Sequence, residues 1–146
     1  MKLAKISLIP TIAAVSVAFF AALSSFGDPI YVSTTAELTD ALAKASDGDE
    51  IVMAKRTFVL EAQLKVTRAV TLRGAGENWE TVIDGNGSVD GMALTAVGAK
   101  LHNFTLTNCG GMWAGSAGVN MSSASTISNV VFRGIGNQWT GNQGTR

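Results

Sequence analysis

The chain has 146 residues, 47% hydrophobic and 15% charged, with a formal net charge of zero, a composition that excludes a disordered polar chain and leaves room for one packed domain. Eleven cationic residues balance eleven acidic ones without a basic cluster, which excludes a nucleic-acid surface, because that needs grouped Lys and Arg to displace counterions. Cys109 is the only cysteine, so no intrachain disulfide can form and packing with backbone pairing must hold the fold.

Lys2 and Lys5 precede an uncharged run of apolar and small residues from Thr11 to Ser25, and Ser24 and Gly27 offer cleavage sites. This pattern predicts a secretory signal peptide over residues 1–27, with an uncleaved N-terminal anchor as the alternative, since the run is short for a stable membrane span. The mature chain is then secreted, extracellular or on the cell surface, and meets a membrane only through this segment. Losing Lys2 and Lys5 leaves nine cations against eleven acids, a charge near −2.

Residues 28–49 form an N-terminal segment around one helix. Thr34 and Glu37 make a capping box, Leu38, Ala41, Leu42 and Ala45 repeat at helical spacing, and Gly48 is the expected stop. One apolar face on an otherwise polar helix needs a surface to cover. After it EIVM, TFVL and QLKV, within residues 50–66, read as three short strands.

From residue 70 the chain repeats itself. VTLRGAGENW (70–79), FTLTNCGGMW (104–113) and VVFRGIGNQW (130–139) superpose with shifts of 34 and 26 residues, and the second shift also lays GMALTAVGAKLHN (91–103) over AGVNMSSASTISN (117–129). Period-2 alternation in V-T-L, F-T-L and V-V-F marks strands, and the many glycines between them leave no room for a helix. Self-similarity at this spacing is the signature of a solenoid. The expected fold is all-β: a right-handed parallel β-helix of coils over residues 50–146, closed at its start by the amphipathic helix, which blocks edge pairing there. The longer first shift is explained by an insertion, ETVIDGNG, read as an extra strand from Thr81 to Asp84 and a Gly85–Gly87 turn. Adding 26 to Gly118 reaches Gly144, so the sequence stops where the next inward strand is due. That predicts the N-terminal piece of a longer chain, or an uncapped last coil suited to end-to-end self-association.

The chemistry-bearing residues fall into small groups. Trp79, Trp113 and Trp139 align in the three copies, either as a stack that holds coils in register or as an exposed aromatic stripe for sugar rings. Arg73 and Arg133 align with Thr107 between them and offer guanidinium forks to a carboxylated glycan, or form an ordinary solvated face. Asp84 and Asp90 flank the Gly-Asn-Gly turn near Glu77 and Glu80; they are turn formers, with Ca²⁺ ligation or glycoside hydrolysis as the chemical alternatives. His102, with Lys100, lacks a second ligand or neighbouring carboxylate, which leaves no basis for a catalytic residue. Asn103 and Asn129 align as a column that shares side-chain hydrogen bonds, broken by Ala69. Cys109 aligns with Ala75 and Ile135, which marks it as a small buried hydrophobe. No cofactor is expected, apart from the Ca²⁺ alternative.

The helix with GDEIVM, VTLRGAG, TVIDGNG, NFTLTN and SNVVFRG resembles the opening of right-handed parallel β-helix proteins of the pectate-lyase-like superfamily, especially large bacterial secreted or surface proteins. The likeness covers residues 30–146, with AKRTF at 54–58 departing from the usual Gly and aromatic. It implies fold more than activity, because the superfold hosts lyases, hydrolases, tailspikes and adhesins. Two functions follow from it: a non-catalytic scaffold or adhesin that binds polysaccharide or a cell-surface glycan, or the N-terminal part of a polysaccharide lyase or glycoside hydrolase whose catalytic coils lie beyond residue 146.

Overall fold

The computed structural model describes residues 28–110 and 117–136. Its elements are β1 (Ile30–Val32), α1 (Thr35–Lys44), β2 (Glu50–Met53), β3 (Thr57–Val59), β4 (Leu64–Val66), β5 (Thr71–Gly74), β6 (Val82–Asp84), β7 (Met92–Leu94), β8 (Lys100–Thr107), β9 (Val119–Met121) and β10 (Thr126–Arg133). The described residues are therefore mostly strand with one short helix. Among the described residues no helix is long and apolar enough to cross a membrane.

Alternation sets each strand. In β3, Phe58 is buried between exposed Thr57 and Val59, and in β4 Leu64 and Val66 are buried around exposed Lys65, as period-2 side chains require. Every strand pairing among the described residues is parallel. Parallel partners need a long connection between them; α1 fills the one between β1 and β2, and each later connection contains strands of the two other ladders. The first ladder runs β1, β2, β5, the first half of β8 and the start of β10; the second runs β3, β6, the second half of β8 and the end of β10. The third runs β4, β7 and β9.

In-register pairing stacks like on like inside. Ile51, Leu72, Leu101 and Ile127 form one column, Phe58, Ile83, Leu106 and Phe132 another, and Leu64, Met92 and Val119 a third. Each fully buried member contributes roughly 1.5–3 kcal/mol. Close stacking also fixes glycines: a Cβ on Gly91 would lie 2.2 Å from the carbonyl oxygen of Gly118, its neighbour in the next round.

The helix has the expected start. Thr34 Oγ1 accepts from Glu37 N–H at 3.1 Å while Glu37 Oε2 accepts from Ser33 and Thr34 N–H at 2.7 and 3.1 Å. These bonds hold the Glu37 carboxyl below its ordinary 4.5, the Ser33 backbone bond being the largest cause. Leu38, Ala41 and Leu42 are buried against β1, β2 and β4. The end differs from expectation: the helix stops at Lys44, because Ala45 turns extended (ψ 148°) and is drawn into the core. Gly48, at φ 95°, serves the turn into β2 instead. Strand β1 was not apparent in the sequence, since three residues ahead of a cap carry too little periodicity to show.

Three readings of the repeat are corrected by the register. The shift of 26 holds in β8 and β10, where Leu101 meets Ile127, Phe104 meets Val130 and Leu106 meets Phe132. It slips by one in the third ladder, where Leu94 meets Met121 rather than Asn120, because a polar Asn120 on the inner side would invert the strand's faces. The shift of 34 fails: Leu72 meets Leu101, not Leu106, which meets Ile83. Hence Val82–Asp84 is no extra strand but a regular member of the second ladder. The extra residues are 75–80, a loop between β5 and β6 that stands where β8 makes its bend at Asn103, φ 62°. Ala69 and Ala75 therefore lose their assigned places beside Asn103 and Cys109.

Candidate functional site

The loop at 75–80 carries Trp79, which is 65% exposed. Its shape follows from its anchors. Asn103 Nδ2 donates to Gly76 O, Thr105 Oγ1 donates to Asn78 O at 2.8 Å, and Asn78 Nδ2 donates to Asn129 Oδ1 at 3.0 Å. On the other flank Glu80 Oε2 accepts from Glu77 N–H at 2.8 Å, and Lys55 Nζ pairs with the Glu80 carboxylate at 3.0 Å. The Glu77 N–H, then Lys55, hold the Glu80 carboxyl below its ordinary 4.5. The loop covers Thr105, an outward residue that is nonetheless buried. An indole is thus held in solvent on a loop whose neighbours are fixed.

The register removes the basis on which Trp79 was expected to join a three-membered tryptophan column. The 34-residue shift that placed it in line with Trp113 is not the register of the strands. Trp113 and Trp139 lie outside the described residues.

Arg73 and Arg133 are likewise not equivalent. Arg73 stands in the first ladder beside His102, in an outward row of Tyr31, Val52, Arg73, His102 and Ser128. Its Nε binds Glu50 Oε1 at 2.7 Å, with both side chains about one-third exposed. A pair so placed contributes about 1 kcal/mol or less, and it engages the guanidinium through Nε. Next along the row, His102 Nδ1 and Ser128 Oγ share a 2.8 Å hydrogen bond. Arg133 stands in the second ladder, in an outward row of Val59, Asp84, Thr107 and Arg133. The fold so brings Asp84 and Arg133 onto one row, two strand spacings of ~4.8 Å apart, and separates both from Arg73.

The two aspartates serve the backbone. Asp84 Oδ1 accepts from Asn86 N–H at 2.8 Å and from Asn108 Nδ2 at 3.1 Å, which builds the turn at Gly85–Gly87. Asp90 Oδ1 accepts from Ala117 N–H at 3.1 Å. Among the described residues no three His, Cys, Asp or Glu side chains converge as a metal-ion cluster.

The asparagine column is formed. Asn103 and Asn129 both adopt the left-handed conformation, φ 62° and 50°, at the bend shared by β8 and β10, and Asn129 Nδ2 donates to Asn103 Oδ1. Asparagine tolerates that conformation better than other residues with a Cβ. Cys109 is fully buried, and burial pushes its thiol up to about 11. Gly136 N–H donates to Cys109 O at 3.0 Å, consistent with the pairing of Cys109 and Ile135. A thiol so held is no nucleophile.

Sequence reasoning missed Asn78, the residue that ties the loop to β10. Its partner lies 51 residues away, and no spacing rule marks such a pair. Among the described residues, clefts flank the helix. Shallow spaces of about 550 and 320 Å³ separate α1 from residues 61–67 and touch none of the candidate residues. Comparison with protein-family models, curated proteins and solved structures gave no match.

Proposed function

We propose that this chain is a non-catalytic portion of a secreted or cell-surface right-handed parallel β-helix protein, in which Trp79 is a platform for a sugar ring of a polysaccharide or surface glycan. The observation that carries this reading is the exposure of the Trp79 indole on a loop anchored at Gly76, Asn78 and Glu80. An indole offers an apolar face with a polar edge, suited to the alternating character of a pyranose ring, and prior ordering of the loop lowers the entropic cost of binding. Three parallel ladders with like residues stacked support the β-helix reading. The signal-like segment at 1–27 supports export.

Titration of the purified chain with a panel of neutral and uronate oligosaccharides tests the platform. Trp79→Ala is expected to abolish binding while thermal unfolding stays where it was. Equal affinity in the variant, or no binding by the wild type, would remove the platform. Time-dependent cleavage of any polymer in the panel would favour the enzyme reading instead.

A further inference from the structure

We propose that the order of the Trp79 platform is controlled from β10, through a closed circuit of side-chain amides that leaves the 75–80 loop and returns to it. Asn78 Nδ2 donates to Asn129 Oδ1, Asn129 Nδ2 donates to Asn103 Oδ1, and Asn103 Nδ2 donates to Gly76 O. Each amide spends one donor and, at its two inner members, one acceptor, all running in the same direction. Bonds in such a chain polarise one another, so the loss of one member weakens the rest.

The circuit joins three different rounds of the chain. Gly76 and Asn78 follow β5, Asn103 lies in β8 and Asn129 in β10. Asn103 and Asn129 are adjacent through the pairing of β8 with β10, but Asn78 reaches past Asn103 to the round beyond. The Asn78 carbonyl is held separately by Thr105, so the backbone is fixed on one side and the side chain on the other, directly before Trp79. Placement of β10 therefore sets the freedom of an indole two rounds earlier. Anything that displaces β10 frees the Asn78 side chain and loosens the loop directly before Trp79, while Asn103, Thr105 and Lys55 keep their hold on it, which makes the last described strand a regulator of the platform. As regulation of glycan binding this rests on the platform reading above; as control of Trp79 mobility it does not.

The test uses the full chain carrying Trp113→Phe and Trp139→Phe, which leaves Trp79 as the only tryptophan. Asn129→Gly removes the acceptor yet keeps a residue suited to φ 50°. Asn78→Ala breaks the same bond from the loop side without touching β10. Both are expected to raise the sub-nanosecond amplitude of the Trp79 fluorescence anisotropy decay, a ps–ns observable, by roughly twofold. Affinity for an oligosaccharide bound by the parent is expected to fall about tenfold, because the loop must then be ordered on binding. Thr126→Ala, on the same strand but outside the circuit, is expected to keep the parent's anisotropy. Unchanged anisotropy in both Asn129→Gly and Asn78→Ala would overturn the proposal. Raised mobility in a protein whose parent binds no sugar would uphold the circuit and sink the platform, so the two readings fail separately.

Discussion

The two ends of the strand stack treat the same kind of side chain differently. At the beginning, Val32 is 4% exposed and Leu38 0%, because α1 lies across the first round and presents Leu38, Ala41 and Leu42 to it. At the last described strands, Met121 is 44% and Phe132 45% exposed, although each continues a column whose earlier members, Leu94 and Leu106, are fully buried. Identity does not decide burial here; a neighbour on both sides does. The helix can close the first round because it pairs all its own backbone groups and offers only an apolar face, whereas a strand leaves an edge of donors and acceptors.

The sharpest way to break this contrast is to cut the same column at two heights. Leu106→Ala, in the middle, is expected to lower the unfolding free energy by about 2–5 kcal/mol, the range for a buried leucine whose cavity cannot collapse. Phe132→Ala, in the last strand, is expected to cost only about 1 kcal/mol, since roughly half of that side chain's burial is available to lose. Urea unfolding of both variants measures the gap, and equal losses would mean that the last round is packed like the middle one. Gly91→Ala attacks the junction between the rounds directly. Its Cβ would meet the Gly118 carbonyl at 2.2 Å, so a destabilisation of about 3 kcal/mol is expected, at the upper end for overpacking because the obstacle is backbone.

The capped end gives a smaller effect. Thr34→Ala removes the acceptor for Glu37 N–H and is expected to cost about 1 kcal/mol, read from the same unfolding curves. Acid acts on the same box. The Glu37 carboxyl is held below its ordinary 4.5 in the folded chain, so its contribution is fully present above about 4.5 and is lost as pH falls through the lower folded value. Glu37→Gln is therefore expected to show a shallower loss of stability below pH 4.5 than the parent, whereas parallel acid curves would remove the box from the account.

What was legible in the sequence divides along physical lines. The helix start was plain, because a capping box and a helical stripe are local. The strands EIVM, TFVL and LKV were plain, because alternation is local too. The match of Leu101 with Ile127 and Asn103 with Asn129 also showed, since β8 and β10 turn the same corner with the same number of residues. Register across the 75–80 loop did not show. VTLRGAGENW and FTLTNCGGMW look alike, yet one contains a loop at the corner where the other has already rounded it on a single left-handed asparagine. The likeness is real at the level of strand, glycine and tryptophan, but misleading at the level of who stacks on whom. With that register went the equivalence of Arg73 and Arg133 and the alignment of Trp79 with Trp113. Asn78, the tie that gives the loop its position, depends on a contact that only the folded chain creates.

The register between β5 and β8 carries all of this, and one cross-linking experiment reads it. In a Cys109→Ala background, Thr71→Cys with Lys100→Cys places two thiols on residues directly opposite one another, on strands about 4.8 Å apart, within the Cα separation a disulfide spans. Oxidation of this pair is expected to give nearly complete intrachain cross-linking, and Thr71→Cys with Thr105→Cys, the pair set by the 34-residue shift, is expected to give none. The reverse outcome, a disulfide at 71 and 105 and free thiols at 71 and 100, would contradict the stacking described above and restore the tryptophan column.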